Sequence, residues 1–172
     1  MSDPKLISQA KVLEAVTIIA LVLLALNLLR LVGVVAVGFA AADAIGSGDL
    51  TAFWPELNRF LGALVGVLPT LIYLGGVWAA QGLFSRVARG ELFSAANSKS
   101  LADIGGALLW GATAAMVIVP WLQSWIDGEY GYAGVRIEQE TLVLAVIGGA
   151  VLMFGRMTSQ ARRLQSELDE II

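Results

Sequence analysis

The chain has 172 residues, of which 58% are hydrophobic and 15% are charged, and its formal net charge is −3. A soluble domain is about half apolar and about a quarter charged, so this composition favours a protein bathed by lipid. Cysteine and histidine are absent, which excludes a disulfide, a thiolate nucleophile and a Cys/His metal site. No cofactor is expected.

Four apolar segments in chain order match what is needed to cross a bilayer. About 20 apolar residues span the hydrocarbon as a helix, and a helix satisfies its own backbone polar groups there. We therefore predict an all-α integral membrane four-helix bundle that forms a single transmembrane domain, residues 1–172. The predicted spans are residues 12–42, 60–84, 104–126 and 141–157.

The first span carries a polar pair, Asn27 and Arg30, which lie on the same helix face because they are three residues apart. An arginine near the bilayer centre costs roughly 2.5–3.5 kcal/mol on insertion scales. Two interpretations stay open. Arg30 can snorkel or make structural hydrogen bonds, or the pair is an intramembrane polar site of a small ion or small-molecule transporter or channel.

Glycines follow in the second span, where Gly62 and Gly66 form a G-x-x-x-G motif. In lipid, small residues at this spacing let helix backbones approach closely. The motif is consistent with packing inside the bundle or with a homo-oligomer.

The connection between the second and third spans reads SRVARGELFSAANSKSLADIG. Gly90 tolerates the left-handed conformation of a helix end, so we expect the second helix to stop there. Ser94 is a candidate cap for the next helix, and Ser100, with Asp103 three residues later, is a rival cap. Either cap makes spans two and three an antiparallel pair joined by a tight turn.

Residues 158–172 are predicted to form an amphipathic tail helix that continues the fourth span into the cytoplasm. Its apolar residues advance by four and three, in a heptad-like stripe that includes Met157, Ala161, Leu164 and Leu168. The stripe can pack on the turn between spans two and three, or it can be a docking surface for a cytoplasmic partner.

Basic residues set the predicted orientation, because short loops that are rich in Lys and Arg stay in the cytoplasm. With both termini inside, eight basic residues lie on the cytoplasmic side and two outside; the reverse orientation inverts these numbers. Both termini are therefore predicted to be cytoplasmic.

The turn between spans two and three resembles a motif of an uncharacterised bacterial group, domain-of-unknown-function family 2975. The matching residues are Gly90, Phe93, Ser94, Asn97, Leu101, Ile104 and Gly105. After Asn97 the chain has one base, Lys99, where relatives tend to have several. The resemblance implies a small multi-pass protein of the bacterial inner (plasma) membrane with no assigned activity. Members are often encoded beside a short helix-turn-helix regulator, which suggests a membrane partner for such a regulator.

We therefore expect a non-enzymatic accessory or regulatory membrane protein that acts through its cytoplasmic face, with the transporter or channel as the alternative. No phosphate-binding loop, dinucleotide fingerprint or nucleophile elbow occurs. Expected partners are the lipid bilayer, a cytoplasmic regulatory protein or larger membrane complex, and a second copy of this chain; no direct contact with nucleic acid is expected. The predicted partner surface comprises Gly90, Phe93, Asn97, Leu164 and Leu168.

Overall fold

The computed structural model describes residues 4–42, 50–91, 94–128 and 134–169, in which all regular secondary structure is helical. The elements are α1 (Pro4–Ala42), α2 (Leu50–Ala88), α3 (Ala95–Thr113), a π-helical turn (Ala114–Ile118), α4 (Val119–Ile126) and α5 (Gln139–Asp169). The π-helical turn and α4 continue α3, so four long helical rods account for the described chain.

Within the described residues, four helical segments are long and apolar enough to cross a membrane, the number that the sequence predicted. They are Ile7–Gly33, Leu57–Ala88, Ala95–Ile126 and Gln139–Leu164. A segment of 32 residues is about 48 Å long as a helix, whereas the hydrocarbon is about 30 Å thick. The second and third segments are therefore longer than the hydrocarbon is thick, which requires a tilt or ends that extend beyond it. Helix α5 runs without interruption through residues 157 and 158, so the tail continues the helix of the fourth span as predicted, as far as Asp169.

The helices pack in a row rather than as a closed bundle. The main contacts of α1 are with α2, those of α2 with α1 and α3, and those of α5 with α3. Among the described residues the buried apolar side chains are few: Ala10, Leu83, Ala112 and Ala114. Lipid tails are as apolar as leucine, so the helices gain nothing by hiding such side chains from lipid. The predicted four-helix bundle is therefore more open than expected.

Glycines hold α3 and α5 together. Added at Gly148, a Cβ atom would lie 2.6 Å from the backbone nitrogen of Leu109, and one at Gly155 would lie 2.6 Å from that of Ala102. A Cβ at Gly105 would collide with the backbone of Leu152. By contrast, a Cβ at either Gly62 or Gly66 would meet no described atom within 4 Å, so the G-x-x-x-G pair makes no such close approach to the described residues.

The third span changes its helical geometry just before Pro120. Proline has no N–H, so Pro120 cannot donate a hydrogen bond to the carbonyl of Met116, four residues earlier. The N–H of Arg136, in the segment before α5, donates to that carbonyl instead, over 3.0 Å. The π-helical turn thus contains a carbonyl, that of Met116, whose hydrogen-bond donor comes from another segment of the chain.

Candidate functional site

Helix α2 stops before Gly90, as the sequence predicted, and the structure shows that this end is a Schellman motif. The φ angle of Gly90 is 87°, which is the left-handed region that glycine tolerates. The N–H of Gly90 donates to the carbonyl of Val87 over 2.9 Å, and the N–H of Glu91 donates to that of Arg86 over 3.1 Å. These two bonds satisfy carbonyls that the helix end would otherwise leave unpaired.

Helix α3 begins immediately after Ser94, whose hydroxyl accepts a hydrogen bond from the N–H of Asn97 over 3.2 Å. The predicted Ser94 cap is therefore confirmed. The rival cap, Ser100, is wrong, because Ser100 lies within α3 and its hydroxyl accepts a hydrogen bond from the side chain of Arg86. Helix α3 thus begins nine residues before residue 104, where the predicted third span starts.

The guanidinium of Arg86 ties the end of α2 to the start of α3. Its Nε donates to Oδ1 of Asn97 over 2.9 Å, and its Nη2 donates to the hydroxyl of Ser100 and to the carbonyl of Ala96. The amide of Asn97 in turn donates to the carbonyl of Glu91. We call Arg86, Glu91, Asn97 and Ser100 the turn network, and residues 86–100 the α2–α3 turn. Because its polar groups satisfy one another, the network can be buried at the end of two apolar helices.

Sequence reasoning missed Arg86, although a signal was present. An arginine closes an apolar helix, and polar residues follow at positions 97, 98 and 100, shortly before the predicted third span. In the structure Asn97, Ser98 and Ser100 are all buried. Polar residues that are buried at the start of a span require partners, and a nearby arginine supplies several donors in a fixed fork.

The residues of the predicted partner surface differ in accessibility. Gly90 is exposed at the end of α2. Asn97 is 5% exposed, so its hydrogen bonds shape the turn from inside. Phe93 lies outside the described residues. Leu168 belongs to α5, but its side chain is outside the described part of the structure.

The apolar stripe of the tail faces outward wherever the structure describes its large side chains. Met157 is 63% exposed and Leu164 is 62% exposed, so these two do not pack on the α2–α3 turn. That alternative for the stripe is wrong for both residues. The tail nevertheless adjoins the turn, because a cavity of about 210 Å³ is lined by Ala95, Ser98, Ser159, Arg162 and Arg163.

The polar pair of the first span lies on α1, the helix whose main contacts are with α2. Asn27 is exposed, and the side chain of Arg30 is outside the described residues. Whether the pair forms a working site stays a prediction. Within the described residues, no three His, Cys, Asp or Glu side chains come together as a metal site requires.

A second concave feature lies between α2 and α3, and we call it the α2–α3 groove. It has a volume of about 710 Å³. Its floor contains the small residues Gly75, Ala79 and Gly82 of α2 with Gly106 and Ala107 of α3. Arg86, Lys99, Ser100 and Asp103 line the end nearest the α2–α3 turn. Most of the groove is therefore apolar, and the end nearest the α2–α3 turn, which we call the mouth, is charged.

Comparison with known proteins identifies one family. The family model described as "Protein of unknown function (DUF2975)" matches residues 50–172, which include α2 to α5 and the whole α2–α3 turn. No curated protein and no solved structure matches the chain. The match confirms the resemblance that the residues of the turn indicated.

Proposed function

The chain belongs to the DUF2975 family of proteins of unknown function, and we propose that it is a non-enzymatic accessory or regulatory protein of the bacterial inner membrane. In this proposal both termini and the α2–α3 turn lie in the cytoplasm, as the distribution of basic residues predicts. The turn and the adjoining end of α5 bind a cytoplasmic regulatory protein.

The outward-facing stripe at the end of α5 carries the proposal. Leu164 lies eight residues beyond Arg156, or about 12 Å farther along the helix. Arg156 is the first charge after the apolar run of the fourth span; in this proposal it marks the edge of the hydrocarbon, which leaves Leu164 outside. A leucine that is 62% exposed outside the lipid presents apolar surface that a protein partner can cover.

Rigidity and charge of the neighbouring surface support the same proposal. The turn network fixes the α2–α3 turn, so a partner meets a preorganised surface and loses less entropy on binding. Basic residues at this end include Arg89, Lys99, Arg162 and Arg163. A partner with an apolar strip flanked by acidic side chains would complement the tail and the turn together.

Site-specific photocrosslinking in intact bacteria tests the proposal. A photoreactive residue at position 164 should form a discrete adduct with a soluble protein. The same residue at position 146 should not, because Val146 is exposed within the predicted hydrocarbon region of the same helix.

A second pair of variants separates specific docking from chance proximity. With the photoreactive residue at position 159, Leu164→Glu should abolish the adduct and Leu164→Met should retain it. Equal adducts from positions 164 and 146, or an adduct that survives Leu164→Glu, would contradict the proposal.

A further inference from the structure

We infer that the α2–α3 groove binds one anionic phospholipid, with an acyl chain along its floor and the phosphate at its charged mouth. This lipid site goes beyond the proposed function and does not depend on it. It needs only that α2 and α3 cross the membrane, for which both helices are long and apolar enough.

The floor of the groove is open because its residues are small. A Cβ atom added at Gly75 or at Gly106 would meet no described atom within 4 Å. Trp78 lines the groove as well and is 71% exposed. Its large side chain therefore forms one side of the groove, next to the small residues of the floor. An empty groove at hydrocarbon depth would deprive its lining atoms of dispersion contacts, and an acyl chain restores them.

The length of the groove matches one leaflet. From Gly75 to Arg86 helix α2 rises by about 16 Å, at 1.5 Å per residue. The hydrocarbon of a bilayer is about 30 Å thick, so one leaflet contributes about half of that. A lipid whose phosphate lies at Arg86 would thus extend its chain along the floor as far as Gly75.

The mouth offers donors that the protein itself does not use. The Nε and Nη2 atoms of Arg86 belong to the turn network, whereas Nη1 lies over Gly82, 3.4 Å from the position of a Cβ there. Among the described residues Nη1 has no hydrogen-bond partner. Lys99 is exposed, and it has no carboxylate within 4.0 Å in the described part of the chain.

Charge decides which lipid fits. Two positive side chains, Arg86 and Lys99, and one negative side chain, Asp103, line the mouth, which gives it a charge of +1. A phosphodiester headgroup with a charge of −1 complements this mouth, because the phosphate can take donors from Arg86 and Lys99. A headgroup hydroxyl can then donate to Asp103, as the glycerol of phosphatidylglycerol would.

A helix from a second copy is the competing occupant, since small residues also admit helices. An apolar helix would bring no anion to Nη1 of Arg86 or to Lys99. It would leave both charges desolvated without compensation, which is costly at the edge of the hydrocarbon. The charged mouth therefore favours the lipid.

Native mass spectrometry of the full chain in detergent, titrated with phosphatidylglycerol or phosphatidylethanolamine, tests this inference. Phosphatidylglycerol should bind more tightly. Lys99→Gln should weaken its binding about fivefold, as expected for one basic residue at an anionic lipid surface. Arg156→Gln removes a charge that is also exposed, from α5, which does not line the groove, and it should leave binding unchanged.

A steric pair provides an independent readout. Gly106→Leu fills the groove, whereas Gly149→Leu adds the same bulk on α5, where a Cβ also meets open space. Only Gly106→Leu should abolish binding. The inference would be overturned if the two lipids bound with equal affinity, or if the two variants of either pair had equal effects. It would also be overturned if the protein were a dimer that Gly106→Leu converts to a monomer.

Discussion

Replacing Arg86 by methionine should destabilise the protein far more than the same replacement at Arg89. Both arginines lie at the end of α2, and both substitutions remove one positive charge while keeping most of the alkyl stem. Arg86 donates to Asn97, Ser100 and Ala96. Arg89 makes an exposed ion pair with Glu91 over 3.6 Å and a hydrogen bond to Ser85.

The size of the effect follows from what Arg86→Met leaves behind. Asn97 and Ser100 are 5% and 8% exposed, so water cannot replace the lost donors. A hydrogen bond to a charged group contributes about 1.5–3 kcal/mol, and an unsatisfied buried acceptor costs about 1–3 kcal/mol. We expect the free energy of unfolding to fall by about 2–4 kcal/mol. Arg89→Met should change it by less than about 0.5 kcal/mol, because surface pairs contribute little.

Thermal unfolding in detergent, followed by circular dichroism and tryptophan fluorescence, measures this difference. For a chain of this size 1 kcal/mol corresponds to roughly 2–4 °C in Tm. Arg86→Met should therefore lower the Tm by about 5–15 °C, and Arg89→Met should lower it by less than about 2 °C. Equal Tm values for the two variants would refute the view that the turn network stabilises the fold.

Two further predictions concern the packing of α5 and the orientation of the chain. Gly148→Ala should lower the free energy of unfolding by about 1–3 kcal/mol, because its Cβ would meet the backbone of α3. Gly149→Ala should not lower it, because a Cβ at Gly149 points into open space. Equal stabilities of the two variants would contradict the packing of α5 on α3. Because the chain has no cysteine, single cysteines report topology directly. A membrane-impermeant maleimide should label Asp127→Cys in intact cells and Glu91→Cys only after permeabilisation; the opposite pattern would reverse the proposed orientation.

The number of spans and the ends of α2 and α3 could be predicted because they depend on local properties. An apolar run either reaches the thickness of the hydrocarbon or does not, whatever its neighbours are. Gly90 and Ser94 act on backbone groups within a few residues, so their roles are readable in the chain order. Ser100 shows the limit of this reasoning. Its local pattern also suits a cap, but α3 already begins after Ser94, and the Ser100 hydroxyl accepts a hydrogen bond from Arg86, fourteen residues earlier.

Length, hydropathy and helix-end chemistry are thus properties of the sequence by itself, and they determined an all-helical chain with four segments able to cross a membrane. Tertiary structure decided which residues meet. It placed Gly105 against Leu152, left the stripe at Met157 and Leu164 uncovered, and opened the groove beside Arg86. The reason is physical: in lipid, apolar faces gain little from one another, so close backbone approach and buried hydrogen bonds select the neighbours. Both depend on distances between residues that are remote in the chain.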